Sequence, residues 1–390
     1  MIWLEIWFWL SALGIAYVYL GYPLLVGAAA RVFGRPLQRV GQLPRSISIL
    51  IAAHDEEAAI VRRIRELNEQ LSSVCIPGEI IVVSDGSTDS TARLARSQAD
   101  ASVHVVELEQ RVGKAAALTL GCAEAKGEVL VFADVRQTWA SDALRKLVEN
   151  FRDPTVGAVS GNLLLENAPR PLSGVGLYWC FEKWLRAQES RLHSLTGVTG
   201  AISAVRRELF RPIPAGTLLD DVYWPLQVAM QGRRVIHDEQ AIAFDRLPPG
   251  ASHEFRRKVR TLCGNLQLLK LCPIAFLPWR NPVWLQLISH KFLRLAVPWA
   301  LLVLLVGGTM LPNPIYRILL ATQLALYVLG LLGMQKDERP RLAVTNMASS
   351  FLVLNGAALW SIAVWITGRS DRTWRKANFD PAPAEDAGLP

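Results

Sequence analysis

From Ile6 to Ala30 the chain carries no charged side chain. A run of that length crosses the hydrocarbon core of a bilayer. Inside it the backbone must satisfy its own N–H and C=O groups, which leaves a helix as the open-chain solution. A cleaved leader does not fit: no basic segment precedes the run, it is too long, and Trp and Tyr crowd it. Three more apolar segments close the chain, Leu293–Leu311, Ile315–Gly333 and Leu342–Gly368, divided by Pro312-Asn313-Pro314 and by Lys336–Arg341. The stretch between the first and second apolar segments has to form its own folded unit beside a membrane.

Charge sets the orientation. Arg31, Arg35, Arg39 and Arg45 follow the first apolar run, so the positive-inside rule puts the N-terminus outside and the next region in the cytosol. Four crossings would leave the C-terminus outside, whereas Arg369, Arg372, Arg375 and Lys376 pull it inside; either the last segment is re-entrant or a boundary lies elsewhere. The tail after Asp380 is short, rich in Pro and Ala, and reads as disordered. The net charge of +8 reads as contact with anionic head groups rather than with nucleic acid. Thirteen Trp suit interfacial anchoring. Cys75, Cys122, Cys180, Cys263 and Cys272 form no CxxC pair, and the six His show no ligand spacing, so neither a disulfide framework nor a structural zinc is expected. No P-loop, dinucleotide fingerprint or nucleophile elbow is present.

From Ser46 the pattern alternates. Strands are expected at Ile47–Ala53, Glu79–Val83, Val103–Glu107 and Val129–Ala133. Helices are expected at Glu56–Leu71, Ser90–Gln98, Lys114–Ala125 and Ser141–Asn150. That alternation predicts βαβ units in a mostly parallel sheet, with ligands outside the carboxyl ends of the strands. Further on, Phe255, Val259, Leu262, Leu266 and Leu269 form one helical stripe beside Arg256, Arg257, Lys258 and Arg260. A basic amphipathic helix of this kind lies in a membrane interface; the alternative is a helix whose stripe faces the core.

Four acidic clusters punctuate the alternating stretch: Asp55-Glu56-Glu57, Asp85 within Ser84-Asp85-Gly86-Ser87-Thr88-Asp89, Asp134 after Val129–Ala133, and Asp220-Asp221. The first three end strand-like runs, where carboxylates gather round one crevice. Asp55 and its neighbours can equally cap or favour a helix start. Gly86 allows a tight turn, and Asp89 or Ser90 can cap the next helix. Asp85 is not needed for capping and is left to contact a ligand. Asp220-Asp221 also reads as a doubly acidic helix start.

Taken in order, these segments resemble the membrane-bound family 2 glycosyltransferases, the group of the cellulose, chitin, hyaluronan and poly-N-acetylglucosamine synthases, over about residues 1 to 370. The resemblance implies an α/β fold of the GT-A type, Rossmann-like, plus transmembrane helices. It implies a UDP-sugar donor and a divalent metal, Mg²⁺ or Mn²⁺. Ala52-Ala53-His54-Asp55-Glu56-Glu57 resembles the first donor-binding motif, with Glu57 near the nucleoside, and Asp85 resembles the acid on the uracil. Gly113-Lys114-Ala115 resembles the segment whose lysine approaches the donor. Thr217-Leu218-Leu219-Asp220-Asp221 resembles the Thr-Glu-Asp motif, with Asp221 in the place of the base and Asp220 raising its proton affinity. Thr199-Gly200-Ala201 resembles the acceptor-side segment.

Two motifs depart from the family. The Asp-x-Asp metal motif reads Asp134-Val135-Arg136, which leaves Asp134 as metal ligand with donor phosphates completing the shell, or Arg136 on a phosphate. Gln-x-x-Arg-Trp is absent; Arg257 or Arg260 takes the diphosphate role and Gln267 lines the acceptor path. The expected organisation is a first span (1–30), a cytosolic GT-A domain (46–250), amphipathic interface helices (251–290), C-terminal spans (291–368) and a tail (369–390). The expected activity is inverting transfer to a growing polysaccharide or lipid-linked glycan at the inner membrane. Two other readings stay open: a non-processive lipid glycosyltransferase acting on a polyprenyl phosphate or ceramide, and an inactive nucleotide-binding scaffold.

Overall fold

The computed structural model describes residues 1–166, 174–246, 251–334 and 343–368. The Lys336–Arg341 connection and the basic tail lie outside them, and with them the conflicting signals about the C-terminus.

The first apolar run is one helix, α1 (Ile2–Phe33). The alternating stretch follows as β1 (Ile47–Ala53), α2 (Ile60–Val74), β2 (Gly78–Asp85), α3 (Thr91–Arg96), β3 (Val103–Leu108), α4 (Lys114–Glu124), β4 (Val129–Ala133), β5 (Thr138–Trp139) and α5 (Ala143–Glu149). Then come β6 (Val156–Leu165), α6 (Gly174–Leu192), β7 (Ile202–Arg206), α7 (Asp220–Met230) and β8 (Arg234–Asp245). The chain continues through α8 (Ala251–Leu271) to three apolar helices, α9 (Trp284–Met310), α10 (Pro314–Met334) and α11 (Ala343–Ile366). Among the described residues four helices are long and apolar enough to cross a membrane, as the sequence predicts. The second starts at Trp284 rather than Leu293, because charged residues inside it conceal its first turns.

All eight strands join one sheet in the order β3-β2-β1-β4-β7-β6-β8-β5. From β3 to β4 the pairing is parallel, as expected. Beyond β4 it is mixed: β7 runs antiparallel to both neighbours, β6 and β8 are parallel, and β5 is antiparallel to β8. The sheet is therefore less parallel than the βαβ pattern implies, since that pattern ends at β4.

Both faces are covered, which is why the strands read as unbroken apolar runs. Ile49, Ile51, Ile80, Val82, Val129 and Val131 pack on one side with α2 and α5. Leu50, Ile81, Val83, Leu130 and Phe132 pack on the other with α4 and α7, and that layer continues into Leu268, Cys272, Val283 and Leu287. The start of α9 is thus part of the domain's core. In α8, Phe255, Val259, Leu262 and Cys263 pack with Ala357 and Val364 of α11, while Leu269 on the same stripe is exposed. Most of the stripe is spent on a neighbouring span.

The linker after α1 is laid along the domain. Arg35 N donates to Arg191 O at 2.8 Å, Gln38 N to Asp153 Oδ2 at 2.8 Å, Arg39 Nη2 to Asn150 Oδ1 at 2.8 Å, and Arg45 N to Glu128 Oε2 at 2.8 Å.

Candidate active site

Parallel strands β1, β2 and β4 deliver His54, Asp85 and Asp134 to one end of the sheet. The first two acidic clusters are knitted together there. Asp55 Oδ1 accepts from Thr88 N at 2.8 Å, Glu57 Oε2 from Ser90 N at 3.0 Å, and Glu56 N donates to Thr91 Oγ1 at 2.7 Å. The Thr88 N–H holds the Asp55 carboxyl below the usual carboxylate range. After this interlocked turn α2 begins at Ile60 rather than at Glu56.

Asp85 is buried, and both oxygens are engaged: Val112 N donates to Oδ1 at 2.7 Å and Gly113 N to Oδ2 at 2.9 Å. It fixes the loop that presents Lys114. Gly86 makes that approach possible: its φ is +58°, and a Cβ there would meet Arg111 N at 2.4 Å.

Lys114, at the first position of α4, donates from Nζ to Asp134 Oδ1 at 2.7 Å and lies 3.8 Å from Asp220 Oδ2. Burial works against its charge, but Asp134, Asp220 and Asp221 outweigh it and raise its pKa. Gly200 completes the cradle, since a Cβ there would stand 3.1 Å from Lys114 Nζ. Lys114, Asp134, Gly200, Asp220 and Asp221 line one small cavity floored by Phe132 and Trp224.

Asp220 and Asp221 open α7, where the helix's positive end faces them. Even so, burial first, and then the neighbouring Asp220, push Asp221 up to about 6, against the opposing pull of Lys114, Lys291 and Arg260. Its carboxylate accepts no hydrogen bond among the described residues. Gln267 braces the loop leading to this pair, accepting from Leu218 N at 2.9 Å and donating to Gly216 O at 2.8 Å.

Other expected site residues are not among those lining this cavity. Ala52 is in the body of β1, and Glu57 belongs to the interlocked loops. Arg136 turns outward and grips Asp245 with two bonds, Nε to Oδ1 at 3.0 Å and Nη2 to Oδ2 at 2.7 Å. Of the two α8 arginines proposed for the diphosphate, Arg260 is within electrostatic reach of Asp221, and Arg257 lies about one turn earlier on the same helix.

Sequence reasoning missed Arg63. Fully buried, it donates from Nε to Asp134 O at 3.0 Å and from Nη1 to Glu66 at 2.8 Å, and lies 4.6 Å from the Trp139 ring centre. It fixes the backbone that aims Asp134. The signal was available: Arg63 shares the buried face of α2 with Ile60, Ile64 and Leu67.

With this geometry in view, residues 48–213 match the family described as glycosyl transferase family 2, and residues 138–333 match glycosyl transferase family group 2. The poly-β-1,6-N-acetyl-D-glucosamine synthase of Staphylococcus aureus is 25% identical over 242 residues, 57% of this chain and 55% of the relative. An N-acetylglucosaminyltransferase of Azorhizobium caulinodans is 28% identical over 218 residues, 50% of this chain and 54% of the relative. The chain thus spans about half the length of these curated relatives. Among solved structures, the mannosyltransferase PcManGT of Pyrobaculum calidifontis, in complex with GDP-Man and Mn²⁺, superposes with a TM-score of 0.67 at 24% identity, covering 93% of this chain and 99% of that one. The likeness extends over the apolar helices as well as the sheet.

Proposed function

Since the chain belongs to the family 2 glycosyltransferases, we propose that it moves a sugar from a nucleotide diphosphate donor, UDP-linked, to a hydroxyl of a growing glycan or lipid-linked acceptor, with inversion, at the cytosolic face of the inner membrane. The observation that carries this reading is Asp221: a carboxylate on the cavity wall with no hydrogen-bond donor among the described residues and a pKa pushed up to about 6. A general base works best with a pKa near the operating pH.

In this mechanism the acceptor O–H gives its proton to Asp221 while its oxygen attacks the anomeric carbon. The bond from that carbon to the diphosphate breaks with its electron pair, and one displacement inverts the centre. Lys114 and Arg260 are the cations that meet the leaving charge. Asp85 acts through the loop it holds, positioning Lys114 as well as facing the nucleoside. Asp220 acts on Asp221 by repulsion and pairs distantly with Lys114.

A divalent metal fits on narrower terms than two carboxylates would give. Lys114 already engages one oxygen of Asp134, and the described residues hold no group of three metal-ligating side chains. Asp134 would hold Mg²⁺ or Mn²⁺ together with the donor phosphates, and the ion would supply charge to the departing diphosphate. Both curated relatives carry N-acetylglucosamine in their names, which supports an N-acetylhexosaminyl donor. The test is Asp221→Asn with donor, acceptor and metal supplied: nucleotide release falls with the protein still folded, and near-normal release sinks the base assignment.

A further inference from the structure

The carboxylate of Asp221 accepts no hydrogen bond among the described residues, so its aim depends on where its main chain is fixed. Beside that main chain runs the segment 195–200, which forms neither helix nor strand. Val198 N donates to Asp221 O at 2.8 Å, and a Cβ on Gly197 would stand 3.1 Å from Val222 Cγ2 and 3.2 Å from Asp221 O. The same segment ends at Gly200, against Lys114 Nζ. A group that locates this segment therefore locates both the base and one wall of the cavity.

Ser160, fully buried in β6, is such a group. Its Oγ accepts from Thr199 N at 3.0 Å and from Arg186 Nη2 at 3.0 Å, and its hydroxyl donates to Gly161 O at 3.1 Å. One donor and two acceptor sites are the whole capacity of a hydroxyl, so all of it is spent here. The register between β6 and β8 slips between Ser160 and Asn162, where a Cβ on Gly161 would meet Ala241 O at 2.6 Å. Irregularities of this kind beside a site re-aim a side chain. Arg186 Nη2 also donates to Gly197 O at 3.4 Å, so one guanidinium nitrogen holds Ser160 and the segment together.

Arg186 is itself held by its helix. Glu182 and Glu189 share its face of α6. Arg294 of α9 pairs with Glu182 at 2.5 Å, His290 of α9 stands 2.8 Å from Glu189, and Tyr22 of α1 donates to Glu189 at 2.5 Å. Glu189, Glu182 and Asp221 balance the charge of Arg186. Its contribution is then one of geometry rather than of free charge.

We propose that Ser160 and Arg186 are positioning residues for the transfer reaction: they brace residues 197–200 against the main chain of Asp221 and so aim its carboxylate at the acceptor hydroxyl. This rests on the reading of Asp221 as base. Neither residue touches substrate or takes part in the bonds exchanged.

The experiment compares Ser160→Ala, Arg186→Lys and the double variant with the unaltered full chain in membrane vesicles. It reads UDP released from UDP-N-acetylglucosamine with Mn²⁺, less the release by vesicles that lack the chain. Ser160→Ala removes the brace without changing a charge. Its kcat should fall about ten-fold, with the donor KM within about two-fold and the low-pH limb still near 6. Arg186→Lys keeps the charge but not the planar fork and should lose a similar factor. The double variant should lose no more than either single one, since all of them break one contact. Hydrogen exchange at the amides of Val198 and Thr199 should quicken about ten-fold in each folded variant, whatever the donor. A lower thermal midpoint with unchanged kcat overturns the proposal, because the bond is then merely structural. So do a moved low-pH limb, losses that multiply, unchanged amide exchange, or a kcat loss matched by a rise in donor KM. Should one variant not fold, the other decides. Near-normal release by Asp221→Asn alone sinks the base reading. A further fall when Ser160→Ala is added to Asp221→Asn overturns the brace and leaves the base reading standing.

Discussion

The acidic loops at the ends of β1 and β2 and the acidic start of α7 look alike as sequence, yet their chemistry is opposite. Asp55, Glu57 and Asp85 each accept backbone N–H bonds from a loop brought in from elsewhere. Such bonds use up a carboxylate's lone pairs, and at Asp55 the Thr88 N–H also favours the charged form. Burial, and then Asp220 beside it, hold the proton of Asp221 more tightly, and its carboxylate accepts no hydrogen bond among the described residues. One set of acids builds the site and the other is available for chemistry. What separates them is which N–H groups the fold aims at each oxygen.

The comparison breaks most sharply at Asp221. Asp221→Asn should lower the transfer rate by about 10³-fold, the scale of a lost general base, measured as nucleotide released under saturating donor. If Asp85→Asn matched that loss with an unchanged melting temperature, the division of labour would be wrong. Asp85→Ala should instead act on stability. It strands two backbone N–H groups at a buried position and should cost about 3 kcal/mol, read as a lower thermal midpoint in detergent.

The pH profile sharpens the contrast. Asp221 must be ionised to accept a proton, so kcat/KM should fall by about ten-fold per pH unit below about 6. Its contribution to stability runs the other way. With a folded-state pKa raised above the usual carboxylate value, stability is fully present below pH 4 and is lost as pH rises through about 6. Asp221→Asn cannot ionise, so above that pH it should melt higher than the unaltered chain while being nearly inactive. The smallest effect is expected at Arg136. Its pair with Asp245 is half-exposed, and Arg136→Ala should cost about 0.5 kcal/mol and leave the metal dependence of donor turnover unchanged. A shifted metal requirement would bring Arg136 back into the donor site.

Much of the site was legible because strands announce themselves. Val129–Ala133 ends where the apolar run ends, and Lys114 opens its helix as expected. What sequence could not supply was long-range. That Asp85 is bound by Val112 and Gly113 depends on how β2 and the loop before α4 meet in space. That Arg136 turns to Asp245 depends on β8 returning to the edge beside β5. The mixed half of the sheet escaped because β6, β7 and β8 are not separated by regular helical crossovers.

The strapped linker has a mechanical consequence. Because Arg35, Gln38, Arg39 and Arg45 fasten it to α6, to the turn after α5 and to the foot of β4, the first span has no swivel joint to the sheet. The start of α9 also packs into the core, so the domain is tied to the apolar helices at a second point. A tilt of the first span, as in a thicker or thinner membrane, would then be passed on to the sheet and to the cavity that Asp221 lines.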